Sequence, residues 1–179
     1  MSIGLFVFNA LNQLVPYRGF FGLRRLWLRR CGLRVAGDAR IAATARFYGS
    51  EIHIGRKSWI GPETTIFSAE GATVIIGERV DLGPGCMIVS GTHDIGHIAR
   101  RAGHGHNLGI EIGEGTWICA RAVILGGARI GQACVVAAGA VVTGECYPSN
   151  VLLGGVPARV IRELSPLEIE SDVVACHHA

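Results

Sequence analysis

The sequence predicts an all-β solenoid, a parallel β-helix, and three observations carry that prediction. An aliphatic residue returns at every sixth position, a small residue sits four places after it, and 26 of the 179 residues are glycine. The longest run reads IGEGTW, ICARAV, ILGGAR, IGQACV, VAAGAV, VTGECY, opened without a slip by Ile112, Ile118, Ile124, Ile130, Val136 and Val142. Self-similarity at a fixed period marks a repeat architecture. A short strand turns its opening side chain inward and the next one outward. A turn follows, and three such faces make one coil of about 18 residues, with the small fifth residue letting the chain bend inward. One coil cannot bury its own apolar face, so stacking supplies the core, and parallel ladders satisfy the amides. The glycines mark the turns.

Earlier blocks repeat the pattern: VAGDAR, IAATAR, FYGSEI from Val35; IGRKSW, IGPETT, IFSAEG from Ile54; IGERVD, LGPGCM, IVSGTH from Ile76. Two breaks interrupt them. Ile66 and Ile76 stand 10 residues apart, and Ile88 and Ile112 stand 24 apart. The second break, SGTHDIGHIARRAGHGHNLG, reads as a loop over 91–109 projecting from the tube, the place where solenoids carry binding residues. A β-sandwich would show longer strands and wider-spaced turns, which the uninterrupted hexads argue against.

Residues 1–33 differ in character. LFVFNALNQLVP reads as a short apolar helix ended near Pro16, and GLRRLWLRRCG as a second helix with Leu23, Leu26 and Trp27 on one stripe. Two readings stand side by side: a cap on the open end of the solenoid, and a surface helix resting on anionic lipid. The segment is too short to span a bilayer and lacks the basic start and cleavage site of a signal peptide. The organisation is thus a helical cap or membrane-surface segment over 1–33, the β-helix over 34–164, and a tail over 165–179 read as a weak helix or disordered end.

The net charge is +3, with early arginines at 18, 24, 25, 29, 30, 34, 40 and 46. No aromatic and basic interleaving or known motif points to nucleic acid. The six cysteines form no CxxC pair, which favours free thiols in a reducing, cytoplasmic setting over disulfides or a metal site.

Four of the seven histidines, His93, His97, His104 and His106, fall in the projecting loop beside Asp94, Arg100 and Arg101. His93 ends the third hexad block, where a rigid coil holds a side chain in place. A histidine there suits a general base that takes a proton from a hydroxyl or amine as it attacks a thioester. Asp94 and Glu70 are the acidic candidates to orient it. The rival reading is a metal site, for which the spacings of 4, 7 and 2 in a glycine-rich stretch give poor support. No Walker loop, dinucleotide fingerprint or GxSxG elbow is present.

The stretches IGPETTI, VIIGERVDLGPGCMIVSGTHD and IEIGEGTWICARAVILGGARIGQACVVAAGAVVTGECYPSNVLLGGVPARVIREL resemble the hexapeptide-repeat acyltransferases over about residues 35–164. The ordered set GTHD, IGEGTWI, AAGAVVT and GGVPARVIRE is similar to the sugar, maltose and galactoside O-acetyltransferase branch, and to exopolysaccharide-type members such as colanic acid acetyltransferases. The resemblance implies a left-handed β-helix, a homotrimer with active sites between subunits, and acetyl-CoA as donor with no metal. It implies His93 as base on the acceptor hydroxyl, with Asp94 beside it. It further implies coenzyme contacts from Trp117, Ala120, Ala138, Thr143, Arg159 and Arg162. Two departures stand out: Cys119 replaces the glycine of the usual WIG, and Gly144 replaces a lysine, a lost phosphate contact that Arg159 or Arg121 would take up. The Asn and Asp acceptor contacts of the small-sugar members have no match around FSAEGA. The functional expectation is O-acetylation of a sugar or glycan precursor by direct transfer. The alternatives are N-acetylation of an amino sugar or small xenobiotic amine, and a non-catalytic or metal-binding β-helix. Peripheral contact with the inner face of a membrane would come through the N-terminal segment.

Overall fold

The hexads fold as their period requires. A computed structural model describes residues 2–16 and 19–165, and the tail beyond residue 165 lies outside them. The chain winds into a left-handed parallel β-helix of triangular section. Its first face stacks Arg34–Val35, Ile52–Ile54, Val74–Ile76, Ile110–Ile112, Arg129–Ile130 and Cys146–Tyr147. The second stacks Arg40–Ile41, Trp59–Ile60, Asp81–Leu82, Trp117–Ile118, Val135–Val136 and Val151–Gly155. The third stacks Arg46–Tyr48, Thr65–Phe67, Met87–Val89, Val123–Leu125 and Val141–Val142. Hexad openers align in columns, such as Ile41, Ile60, Leu82, Ile118, Val136 and Leu153, and all of these are buried.

The corners explain the rest of the hexad. At most corners the fourth residue of the unit takes the left-handed backbone region, and at seven of them it is not glycine: Thr44, Lys57, Glu63, Arg79, Arg121, Ala133 and Asn150. Each such residue costs about 1–2 kcal/mol, which the stacked ladders offset. The second-position glycines serve a different purpose. Gly113 has an ordinary φ, but a Cβ there would lie 2.5 Å from the Gly131 carbonyl carbon of the next coil. Reading every glycine as a turn residue is therefore corrected: here it permits close stacking. The small fifth residue is buried and often polar. Ser58, Thr64 and Thr116 donate to the carbonyls of Gly77, Gly83 and Gly131, the second-position residues of the coil above. Cys86 and Cys134 donate to Cys119 and Pro148 in the same way.

The phase breaks at four places, two more than the hexad reading found. Successive coils advance 19, 22, 36, 18 and 17 residues along the first-face column. Every departure from 18 falls at one corner, between the third face and the first. The extra residue before Ile54 and the missing one before Tyr147 escaped notice because a one-residue slip leaves aliphatic residues near the expected places.

Helix α1 (Ile3–Leu11) and helix α2 (Phe21–Arg30) lie over the open end of the first coil. Asn9 exchanges two hydrogen bonds with the Phe47 backbone, 2.9 and 3.0 Å, as a neighbouring strand would. Asn12 donates to Ala45 and accepts from the buried Arg24, whose guanidinium also reaches the Gly19 and Pro16 carbonyls. Phe8 packs edge-on against Phe47 and Trp27. At the far end, Ala158–Glu163 pairs antiparallel with Val151–Gly155 and edges the second face.

Two substitutions test this architecture by equilibrium chemical denaturation. Ile118→Ala is expected to lower stability by about 2–5 kcal/mol through an unfilled column position. Gly113→Ala is expected to cost about 1–3 kcal/mol by forcing two coils apart.

Candidate active site

The 24-residue step is not an irregular loop. Gly91–Ile95 and Ala102–Asn107 form an antiparallel hairpin with His93 opposite Gly105 and Thr92 opposite His106. Alternation along the strands sorts the histidines onto opposite sides. His93 lies on the side of Gly103 and Gly105, and a Gly105 Cβ would stand in ordinary contact with its ring, 3.5 Å from Cε1. His93 Nδ1 sits 3.2 Å from the Gly103 carbonyl oxygen. A carbonyl only accepts, so a hydrogen bond there is donated by Nδ1, which leaves Nε2 as the acceptor of the neutral ring. The glycine alternation AGHGH was the available signal for this arrangement.

Asp94 lies on the other side and meets His106 Nε2 at 2.8 Å. That hydrogen bond holds its carboxyl below the usual carboxylate range. Asp94 therefore does not orient His93; the Gly103 carbonyl does. Among the described residues no hydrogen bond or ion pair joins the Glu70 carboxylate to His93, and the Glu70 backbone carbonyl accepts from Asn107 at the hairpin base. His104 stacks edge-on against His106, and His97 accepts from the Ala99 amide in the turn. The four histidines do not gather at one point, and among the described residues no three His, Cys, Asp or Glu side chains are grouped to hold a metal.

The remaining candidates occupy another part of the prism. Trp117, 53 % exposed, stands on the second face in register with Asp81 and Val135. Val135 aligns with Leu152, and Leu152 with Arg162. With strands about 4.8 Å apart, Trp117 and Arg162 mark the ends of a row about 14 Å long. Ala120 and Ala138 stack at the next corner, where the Gly139 amide donates to the Ala120 carbonyl. Nothing lies within 4 Å of where a Gly139 Cβ would stand, so this shelf is open. Thr143 lies apart, at the end of the third face, and bonds Glu145 and Tyr147. Glu145 also pairs with Arg159 at 3.5 Å, a link that sequence reasoning missed. Gly144 has a steric reason, because a Cβ there would lie 2.6 Å from the Gly126 carbonyl. Arg121 is exposed at its corner. Among the described residues, no hydrogen bond, ion pair or ring contact joins His93 to this group.

A cleft of about 310 Å³ opens at the corner that carries the hairpin, lined by Tyr48, Glu51, Phe67 and Glu70 among others. Asn107 and Gly91 tie it to the hairpin base.

Burial pushes the Cys86 thiol up to about 11 and raises Cys119 and Cys134 as well. Cys119 is only half-buried, being a second-position residue rather than a fifth. A thiol whose pKa lies above ambient pH stays protonated and is a poor nucleophile. Brief alkylation with iodoacetamide at neutral pH, mapped by mass spectrometry, should therefore label exposed Cys146 and spare Cys86 and Cys134.

Residues 109–144 match the family described as bacterial transferase hexapeptide (six repeats). The galactoside O-acetyltransferase of Escherichia coli K12 is 39 % identical over 118 residues, 66 % of this chain and 57 % of the relative. This chain therefore spans less than two thirds of that relative's length. A galactoside acetyltransferase solved in complex with coenzyme A superposes with a TM-score of 0.78 at 31 % identity, covering 92 % of this chain and 84 % of that one. A maltose O-acetyltransferase from Clostridium difficile 630 gives 0.73 at 25 % identity, covering 90 % and 84 %. Coil geometry, identity and coverage agree: the chain belongs to the hexapeptide-repeat acyltransferases, in the branch of the galactoside and maltose O-acetyltransferases.

Proposed function

We propose that this protein transfers an acetyl group from acetyl-CoA to a hydroxyl of a sugar or glycan precursor, with His93 as general base. The observation that supports this reading is the His93 ring, whose Nδ1 faces the Gly103 carbonyl and leaves Nε2 for the acceptor hydroxyl. Nε2 takes the acceptor hydroxyl proton as the oxygen attacks the thioester carbonyl carbon. The carbon–sulfur bond breaks, and the departing sulfur takes the proton back from the imidazolium. Asp94 acts indirectly, tying the hairpin strands together through His106. The protonated state of the buried thiols favours this direct transfer over a cysteine-linked intermediate.

The second face supports the donor assignment. An exposed tryptophan beside a shelf of small residues suits the narrow arm of the coenzyme, and Arg159 and Arg162 at the far end suit its phosphates. Arg159 would exchange Glu145 for phosphate on binding. The cleft supports a saccharide acceptor, since Tyr48 and Phe67 offer faces for sugar C–H groups while Glu51 and Glu70 accept from hydroxyls. Coenzyme use and free thiols suit a cytoplasmic setting.

His93 and the coenzyme row lie on different parts of one prism, which is why we assign the site to adjoining subunits of a homotrimer. The third face supports such packing. Its outward residues beyond Arg46 are Tyr48, Thr65, Phe67, Met87, Val89, Val123, Leu125 and Val141, none of them charged. The other two faces show Arg34, Glu111 and Arg129, or Arg40 and Asp81, at the matching places.

Thiol release from acetyl-CoA across a panel of sugars and amino sugars tests the activity, and silence across the panel would overturn it. His93→Ala is expected to lower kcat by about 100-fold or more while keeping the assembly intact. Mixed assemblies of His93→Ala and Trp117→Ala chains should be more active than either variant alone, because some sites then draw both intact residues from different subunits. No recovery on mixing would place each site within one chain.

A further inference from the structure

We infer that the helix-capped end of the solenoid is a docking surface for anionic lipid bilayers. Leu5, Phe8, Asn9 and Asn12 point into the tube, so the opposite side of α1 and the turn after it faces outward. That side is apolar: Ile3 is 84 % exposed, Phe6 61 % and Leu14 79 %. On α2, Arg24 and Leu28 point inward, and Leu23 and Leu26 are exposed. Leu23, Leu26, Trp27 and Arg30 line a shallow groove of about 350 Å³. This end of the molecule therefore shows large aliphatic and aromatic side chains that its own core leaves uncovered.

Charge decides what covers them. Residues 1–46 contain eight arginines and one acidic residue, Asp38, whereas the remaining 133 contain nine basic and thirteen acidic residues. The net positive charge of the chain thus comes from its first 46 residues. Arg29, Arg30, Arg34, Arg40 and Arg46 are exposed there, around the apolar side chains. A second copy docked end to end would set these arginine clusters against each other. An anionic lipid surface instead supplies acyl chains for the apolar side chains and headgroups for the guanidinium groups. No helix among the described residues is long and apolar enough to cross a membrane, so the surface lies on the bilayer rather than through it.

The test is co-sedimentation of the full-length chain with vesicles, which does not depend on transferase activity. The chain is expected to pellet with vesicles of phosphatidylcholine and phosphatidylglycerol, to bind much less to phosphatidylcholine alone, and to be released by high salt. The double variant Phe6→Asp/Leu23→Asp alters only exposed side chains. It should weaken binding by at least about tenfold with an unchanged circular dichroism spectrum. Arg30→Glu should weaken binding to the mixed vesicles alone. Failure of the wild-type chain to bind the mixed vesicles would overturn the inference. Equal binding by the double variant would do so too, as would a change in its oligomeric mass with vesicle binding unchanged, which would assign the surface to contacts between copies.

Discussion

Coils of this protein stand on one another through their corners, and that contact governs most of what surrounds it. At the second position of a hexad the backbone of the next coil comes so close that a side chain has no room, as at Gly55 and Gly113. The carbonyl at that position would lie buried between coils without a partner. The fifth-position residue of the coil below supplies one through a hydroxyl or thiol, as Ser58, Thr116 and Cys134 do. Among the described residues no buried side-chain nitrogen or oxygen lacks a partner. The inward columns of isoleucine and valine contribute the larger share of burial, but the corners set the spacing at which those columns pack.

The inward columns were legible in the sequence because a six-residue period with a fixed aliphatic opener leaves few alternatives. The corner chemistry was only half legible. Serine, threonine, cysteine and alanine at the fifth position read alike as small, and the coil above is what separates donors from spacers. The left-handed fourth position was hidden because lysine, glutamate and arginine occupy it as often as glycine does. The cap was legible as two helices, but not as a substitute strand. Asn9 and Asn12 are polar positions on the buried side of an apolar helix, and their meaning depends on where the Phe47 and Ala45 backbones lie.

The hairpin shows the same limit at the candidate site. Once the hexad stops, its period says nothing about pairing, and adjacency in sequence suggests the wrong partner for His93. In an extended strand, neighbours point to opposite sides. The residue beside a base is therefore badly placed to orient it, whereas a backbone carbonyl across the hairpin is well placed. Gly105 lies beside the His93 ring, whose Nδ1 meets the Gly103 carbonyl rather than a second charged group. On the other side, Asp94 and His106 tie the strands without meeting His93.

The corner between the third and first faces absorbs every change in coil length, from the residue missing before Tyr147 to the eighteen added between Ile88 and Ile112. The other two corners keep their count through every coil up to Val142. Evolution can therefore rewrite one edge of the prism without disturbing the other two. Trp117 and Val135 belong to the part held constant, whereas the cleft and the hairpin belong to the part free to vary. Under the proposed function, insertions at that edge would change the acceptor side of the site and leave the donor side in place.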